Sequence, residues 1–406
     1  MGRQDIPQGS FNIPKQSLIP QEEMLEIGKK QNQLVIGIPK ESDIYESRVP
    51  LTPEAVEILV DNGHSILLES DAGLSANYLN TQYSDVGAMI VDKAEVLKAD
   101  IILKIAPLTV KEIAGLKGNQ LILSSLHMRN HSEEYIRSMM QKKITAISFE
   151  NVKDQYNCYP VVRSMSEIAG NTAILIAAEY LNNANKGKGV MLGGVTGITP
   201  TEVVIIGAGT AGESAARAAL GLGAFVKIMD NSIHKLQRLQ NHLGLRLHTS
   251  VLHPQTLKKA LKSADVVIGA VHLTGMEQVV IVTEEMVSQM KKGSVIVDIS
   301  IDQGGCFETS EVRNHGDPVF RKYDVVHYCV PNIASRVART ASIALSNVMG
   351  PILKDIASSG SITQTLKTNL GLRHGVYLYN GILTNHVIGK MLDIPAQDIN
   401  LLMAAF

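Results

Sequence analysis

From Leu34 to Phe149 the chain alternates short apolar runs with stretches of helical period. "LVIGI", "SILLE", "DIILKIA", "QLILSS" and "ITAISF" are dense in Val, Ile and Leu, as strands buried on both faces are. Between the first two, "TPEAVEILVDNGH" reads as a helix, with Thr52 at the N-cap, Pro53 in the first turn and Gly63 near the end. Strand, helix and strand in this order build β-α-β units on a parallel sheet. They define a first domain over residues 33–163.

An apolar-periodic helix, predicted over 166–181, leaves that domain. The Gly-rich loop "GKGVMLGGVTGITP" then leads to a second alternating series: "EVVIIGAG", "FVKIMD", "DVVIGAV", "SVIVDIS" and "DVVHYCV". This series predicts a second doubly wound domain over residues 164–331. A further helix is expected over 339–358, and residues 332–406 are expected to return to the first domain. The predicted class is therefore α/β, two doubly wound parallel-sheet domains with a cleft between them. Residues 1–32 are polar and Pro-containing, an N-terminal extension in which "PQEEMLEIGKK" has the pattern of a short helix.

Composition narrows the class without naming a chemistry. The 406 residues exceed one ordinary core, which agrees with two domains. A net charge of −1 builds no field for nucleic acid or anionic lipid. No uninterrupted apolar stretch reaches the roughly 18 residues of a membrane span, and no export signal is visible. Cys158, Cys306 and Cys329 form no CxxC or metal-ligand spacing. They read as reduced thiols in a cytoplasmic protein, with no metal expected.

One segment carries chemistry by its spacing. In "EVVIIGAGTAGESAARAALGLGAFVKIMD" an apolar strand runs into Gly207, Gly209 and Gly212, and an Ala-rich helix follows. The first Gly permits a tight turn, the second lets a pyrophosphate approach the backbone, and the third lets the helix lie close on the sheet. A lone GxGxxG is weak, but this one joins a strand to a helix. A second strand ends on Asp230, eighteen residues past Gly212. A carboxylate there suits the ribose hydroxyls and repels a 2′-phosphate, and no arginine stands in the following "NSIHK". The spacing therefore predicts a Rossmann-like domain with NAD(H) preferred over NADP(H).

Several further segments, in order, complete a resemblance. They are "GIPKE" and "ESRVPLTP" (37–53), "LHMRN" (126–130), "MSEIAGNTA" (165–173), "GVMLGGV" (189–195) and "VIVDISIDQGGCFE" (295–308). Together with the Gly fingerprint they resemble the alanine dehydrogenases and their relative, the soluble NAD-binding part of proton-translocating transhydrogenase. The resemblance implies reversible oxidative deamination of L-alanine to pyruvate and ammonium in an interdomain cleft. It implies hydride transfer to NAD, no metal, and a homo-oligomer, a hexamer.

The resemblance also implies roles. Arg48 matches the substrate-carboxylate anchor, a task suited to a guanidinium that makes two parallel hydrogen bonds. His127, at the carboxyl end of "QLILSSLH", matches the group that takes the proton as the amine carbon is oxidised. Asp302 matches the carboxylate that orients water or ammonia, with Asp298 as its competitor. The counterparts of both His127 and Asp302 are lacking in the transhydrogenases, so their joint presence points to the dehydrogenase branch. Lys104 and Asn332 match substrate-side positions. Ser166, Thr210, Ala211, Lys235, Val271, Leu273 and Ile301 match cofactor contacts alongside the three glycines and Asp230.

This chain also departs from the family pattern. The family strand continues into a Lys-Glu-Pro piece whose lysine contacts substrate; here "ILK" continues as "IAP", and that lysine falls on Ala106. Ala334 and Ala338 stand where relatives have prolines, and Phe149 where many have tyrosine. Three accounts of Ala106 stay open. Lys104 or Arg129 supplies the cation; the pocket takes a different amino acid or 2-oxo acid; or the chain binds NAD(H) with weak turnover.

Overall fold

The computed structural model describes residues 33–126, 132–272 and 280–405. The first sheet begins with β1 (Val35–Ile38), β2 (Ser65–Glu69), β3 (Met89–Val91), β4 (Ile101–Leu103), β5 (Leu121–Ser124) and β6 (Thr145–Ser148). The second contains β7 (Glu202–Ile206), β8 (Phe225–Met229), β9 (His248–Ser250), β10 (Val266–Gly269), β11 (Val295–Asp298), β12 (Val319–Lys322) and β13 (Val325–Tyr328). The chain then supplies β14 (Val376–Tyr379) and β15 (Ile382–Leu383) to the first sheet.

Among the described residues the strand orders are β15-β14-β6-β5-β4-β1-β2-β3 and β12-β13-β11-β10-β7-β8-β9. Every pairing from β1 to β6 is parallel, while β14 and β15 add an antiparallel edge against β6. The second sheet is parallel except for the β12–β13 pair. Parallel strands need covered faces, and β4, β5, β6, β10 and β11 are buried along their whole length. Both sheets thus follow the doubly wound α/β plan, each with an antiparallel edge.

Two long helices connect the sheets. One spans Pro160–Leu181 and starts earlier than its apolar period suggests, because Pro160 sits in the first turn, where a missing N–H costs nothing. The other spans Ala338–Ser358. At Gly170 the first of these helices lies so close to the Thr210–Gly221 helix that an added Cβ would stand 2.1 Å from the Ala211 carbonyl oxygen. The helix after Thr52 spans Pro53–Asp61, with Thr52 in the N-cap position. Its side chain makes no cap hydrogen bond and instead lies 3.4 Å from the Ser346 hydroxyl. None of the helices of the described residues is long and apolar enough to cross a membrane. The short helix expected within residues 1–32 lies outside the described residues.

Candidate active site

The carboxyl ends of β1 and β4 and the loop after β1 bring one charged cluster together. Arg48 and Glu46, two residues apart in that loop, are both nearly enclosed, with side chains 12% and 6% exposed. Glu46 accepts from Arg48 twice, Nε to Oε1 at 2.8 Å and Nη2 to Oε2 at 2.6 Å. A guanidinium has two forks, and this pairing occupies the Nε/Nη2 side. Nη1 points toward the Met165 sulfur at 3.4 Å, on the Pro160–Leu181 helix. Burial on its own would raise the Glu46 carboxyl, but the Arg48 charge, its hydrogen bonds and one from Asn332 hold it below the usual range. Burial likewise opposes the Arg48 charge, and Glu46 outweighs it, with Glu41 and Asp302 adding to the same effect.

Asn332 joins the two sheets. Its side-chain amide donates to Glu46 Oε2 at 2.7 Å, and its backbone N–H donates to Asp302 Oδ1 at 2.8 Å. It adopts a left-handed conformation (φ 57°), which asparagine tolerates better than most residues. Two further bonds tie the same segments: Ser47 N–H to the Ser335 hydroxyl, and that hydroxyl to the Tyr45 carbonyl, both 2.8 Å. Arg48, Asn332 and Asp302 are thus brought into one network, although they come from loops far apart in sequence.

Asp298 and Asp302 part company in the structure. Asp298 is 1% exposed and accepts from the Ser310 hydroxyl and the Cys306 and Ser300 backbone N–H groups. Burial raises its carboxyl, and its bonds hold the turn after β11 together. Asp302 lies on the exposed side of that turn, within electrostatic reach of Arg48.

Lys104 follows β4 directly, is 1% exposed, and does not stand open to solvent. Its ammonium lies 3.4 Å from Glu41 Oε2 and 3.5 Å from Glu112 Oε2, and donates to the Pro107 carbonyl at 3.4 Å. Glu112 is held further by the Ser42 hydroxyl and by Lys93, both on its Oε1. Glu41 accepts backbone N–H groups from Ile105 at 2.7 Å and Ala106 at 3.3 Å. Burial pushes the Glu41 carboxyl up to about 7, against the pull of Lys104 and with help from Glu46. Glu41, Glu46 and Glu112 were not singled out by sequence reasoning; the two glutamates flanking "SDIY" were its available signal.

The dinucleotide loop has the expected local geometry. Gly207 has φ 111°, and a Cβ there would meet the Ala270 carbonyl oxygen at 2.3 Å. A Cβ on Gly212 would stand 1.9 Å from the Gly207 carbonyl oxygen, while above Gly209 nothing lies within 4 Å. Gly209 caps the Thr210–Gly221 helix, which begins with Thr210 and Ala211. Asp230, just past β8, accepts from Ala208 N–H at 2.8 Å and Ser232 N–H at 2.7 Å, so its carboxylate sits beside the Gly loop. Arg238 Nη2 donates to the Ala208 carbonyl at 3.1 Å, a neighbour that the sequence reading did not include. Lys235 lies exposed in the first turn of the Ile233–Leu243 helix. Val271 follows β10 and donates its N–H to the Ser300 hydroxyl, and Ile301 is buried in the turn after β11. Ser166 lies on the Pro160–Leu181 helix beside Met165. His127 and Leu273 lie outside the described residues, as does Arg129. The loop can cradle a pyrophosphate: open space at Gly209, a helix N-terminus behind it and a carboxylate beside it.

Two doubly wound units, a dinucleotide loop on one and a guanidinium on the other, define a two-domain nucleotide-binding α/β protein. Family models match it in two parts: "Alanine dehydrogenase/PNT, N-terminal domain" over residues 37–169 and "Alanine dehydrogenase/PNT, C-terminal domain" over 173–386. The chain belongs to the alanine dehydrogenase/PNT family. It is 39% identical over 368 residues to alanine dehydrogenase of Staphylococcus saprophyticus, covering 90% of this chain and 99% of the relative. Alanine dehydrogenase 2 of Staphylococcus aureus is 37% identical over 366 residues, covering 90% and 98%. Among solved structures, an L-alanine dehydrogenase superposes with a TM-score of 0.84 at 34% identity, covering 89% of this chain and all of that one. A transhydrogenase from Sinorhizobium meliloti superposes with a TM-score of 0.75 at 24% identity, covering 87% and 99%, and shares the fold.

Proposed function

We propose that this protein is an NAD-dependent dehydrogenase that interconverts L-alanine with pyruvate and ammonium. The observation that carries the reading is the Arg48 guanidinium, aligned by Glu46 through one fork and linked through Asn332 to Asp302 of the other unit. The Nη1/Nη2 fork suits a substrate carboxylate, and two parallel bonds would fix which face of the substrate meets the cofactor. Similarity to alanine dehydrogenases over nine-tenths of the chain supports the substrate class.

In this reading Gly207, Gly209 and Gly212 would hold the pyrophosphate and Asp230 the adenosine ribose. The chemistry that bound NAD+ would supply is acceptance of hydride from the amine-bearing carbon. Thr210, Ala211, Lys235, Val271, Ile301 and Ser166 would line the cofactor path, and the family resemblance assigns Leu273, outside the described residues, to the cofactor as well. His127 holds the proton released as that carbon becomes a carbonyl carbon. Asp302 orients water in deamination and ammonia in the reverse direction, and its charge steadies the cationic imine. Asn332 positions Asp302 through its backbone N–H. Lys104 stands on the substrate side. We assign residues 33–163 with 332–406 to the substrate domain, and residues 164–331 to the NAD domain. The working form is a cytoplasmic homo-oligomer, a hexamer.

The test is a panel of 2-oxo acids with NADH, each with and without ammonium. Oxidation of NADH should be fastest with pyruvate and absent when ammonium is omitted. A faster rate with a larger or acidic 2-oxo acid would reassign the substrate.

A further inference from the structure

The charged cluster behind Arg48 is unevenly matched. Arg48 is taken up by Glu46, and the Lys104 ammonium is shared between Glu41 and Glu112. Glu112 has further support from Lys93, Ser42 and the Thr109 N–H, so its carboxyl stays low despite burial. Among the described residues, Glu41 has part of one ammonium and two backbone N–H groups, with the Glu46 charge opposing it. The next side chain along the loop, Ala106, is a methyl group and adds no charge.

A 2-oxo acid that enters beside Arg48 brings one more negative charge into this enclosed region. Interactions between charges are strong here because little water screens them. Of the acids whose charge reaches Arg48, Glu46 is pinned by its two bonds, while Asp302 lies on the exposed turn after β11. Glu41, whose charge also reaches Arg48, is the group whose proton affinity burial has already raised.

We propose that Glu41, seated on the Ile105 and Ala106 backbone N–H groups and paired with Lys104, takes up a proton from solvent when the substrate carboxylate binds at Arg48. The carboxylate becomes a neutral carboxylic acid, and the pocket keeps its net charge as the anion enters. Removing one negative charge does the electrostatic work that an added cation would do. Binding of the 2-oxo acid is then tighter at lower pH, through the range where Glu41 ionises.

This inference rests on the proposed role of Arg48. It is tested by titrating the NADH-loaded protein with pyruvate, without ammonium, at pH 8 in two buffers of different ionisation enthalpy. The difference in heat gives the protons taken up per site. The expected value lies between about one-half and one proton for the wild type, since a group titrating near 7 is mostly ionised at that pH. Glu41→Gln, which keeps the size and an oxygen acceptor, should bring uptake close to zero while pyruvate still binds. Equal uptake in wild type and Glu41→Gln overturns the inference and leaves the Arg48 reading standing. Absence of pyruvate binding to the wild type overturns both. If Glu41→Gln does not fold, infrared difference spectra of the wild type decide instead. A protonated-carboxyl carbonyl band should grow on pyruvate addition, and its absence overturns the inference.

Discussion

Arg48 and Glu46 share two hydrogen bonds of 2.8 and 2.6 Å, and the second Glu46 oxygen also accepts from Asn332, which holds Asp302. The proposed carboxylate anchor is thus oriented by a partner that bridges to the other unit. Arg48→Lys keeps the charge and loses the paired fork. The expected result is a loss of about 100-fold in kcat/KM for pyruvate, on the order of 2–3 kcal/mol, with NADH affinity nearly unchanged. Steady-state kinetics with a parallel NADH titration checks this.

Gly209 and Gly212 should respond differently to alanine. A Cβ on Gly212 collides with the Gly207 carbonyl oxygen, so Gly212→Ala should cost both stability and NADH binding. Gly209 has room for a Cβ in the free protein, with φ −77°. Gly209→Ala should therefore leave the unfolding midpoint within about 2 °C while weakening NADH roughly tenfold or more. Thermal unfolding and fluorescence titration of NADH separate the two.

Asp230 should decide between cofactors. Its carboxylate lies beside the Gly loop, with Arg238 on the Ala208 carbonyl. Asp230→Ser removes the repulsion of a 2′-phosphate and leaves Arg238 within reach of the loop. The NADH-to-NADPH preference in kcat/KM is expected to fall by about 10- to 100-fold. An unchanged ratio would mean that the ribose is read elsewhere.

Lys104 should matter to stability more than an exposed lysine would. Lys104→Met leaves Glu41 and Glu112 buried around an apolar side chain. Removing one partner of a buried ion pair costs about 3–5 kcal/mol. Urea denaturation should show a loss of that order, and a loss below about 1 kcal/mol would contradict the geometry.

The pH dependence of stability has a definite sign. Glu41 is raised from 4.5 to about 7 in the folded protein, so between these values the folded state holds a proton that the unfolded state has released. Stability contributed by the neutral acid is fully present below 4.5 and is lost as pH rises toward 7, by at most about 3 kcal/mol. Glu41→Gln should flatten that part of the stability curve. Denaturant midpoints at pH 5 and pH 8, compared between the two proteins, measure the effect.

Much of the fold was legible because its central strands are buried on both faces and are therefore written as unbroken apolar runs. β2, "SILLE", coincides with its predicted stretch, and β5 and β11 lie inside theirs. The strands that escaped notice were β3, β9 and β12, sheet-edge strands with partly exposed side chains, and β14 and β15, the antiparallel edge that the returning chain adds to the first sheet. Edge strands owe their pairing to a neighbour more than to their own hydrophobicity. In the site, Arg48, Asp302 and Asn332 were named through the family resemblance. The Glu41–Lys104–Glu112 arrangement was not, because it joins residues 41, 104 and 112 through tertiary contact alone. The Ala106 question also changed: beside the methyl group stands a buried acid that can give up its charge. Ala106→Lys would place an ammonium next to Glu41. It should hold that acid ionised and so abolish the proton uptake expected of the wild type.

The central claim, turnover of pyruvate, ammonium and NADH at a site anchored by Arg48, is tested most directly by one stopped-time assay. Purified protein is mixed with NADH, pyruvate and ammonium, and L-alanine is quantified against the NADH consumed. The account predicts one L-alanine per NADH in the wild type and a loss of about 100-fold in Arg48→Lys. NADH binding without L-alanine formation at high protein concentration, or equal turnover by Arg48→Lys, would contradict it.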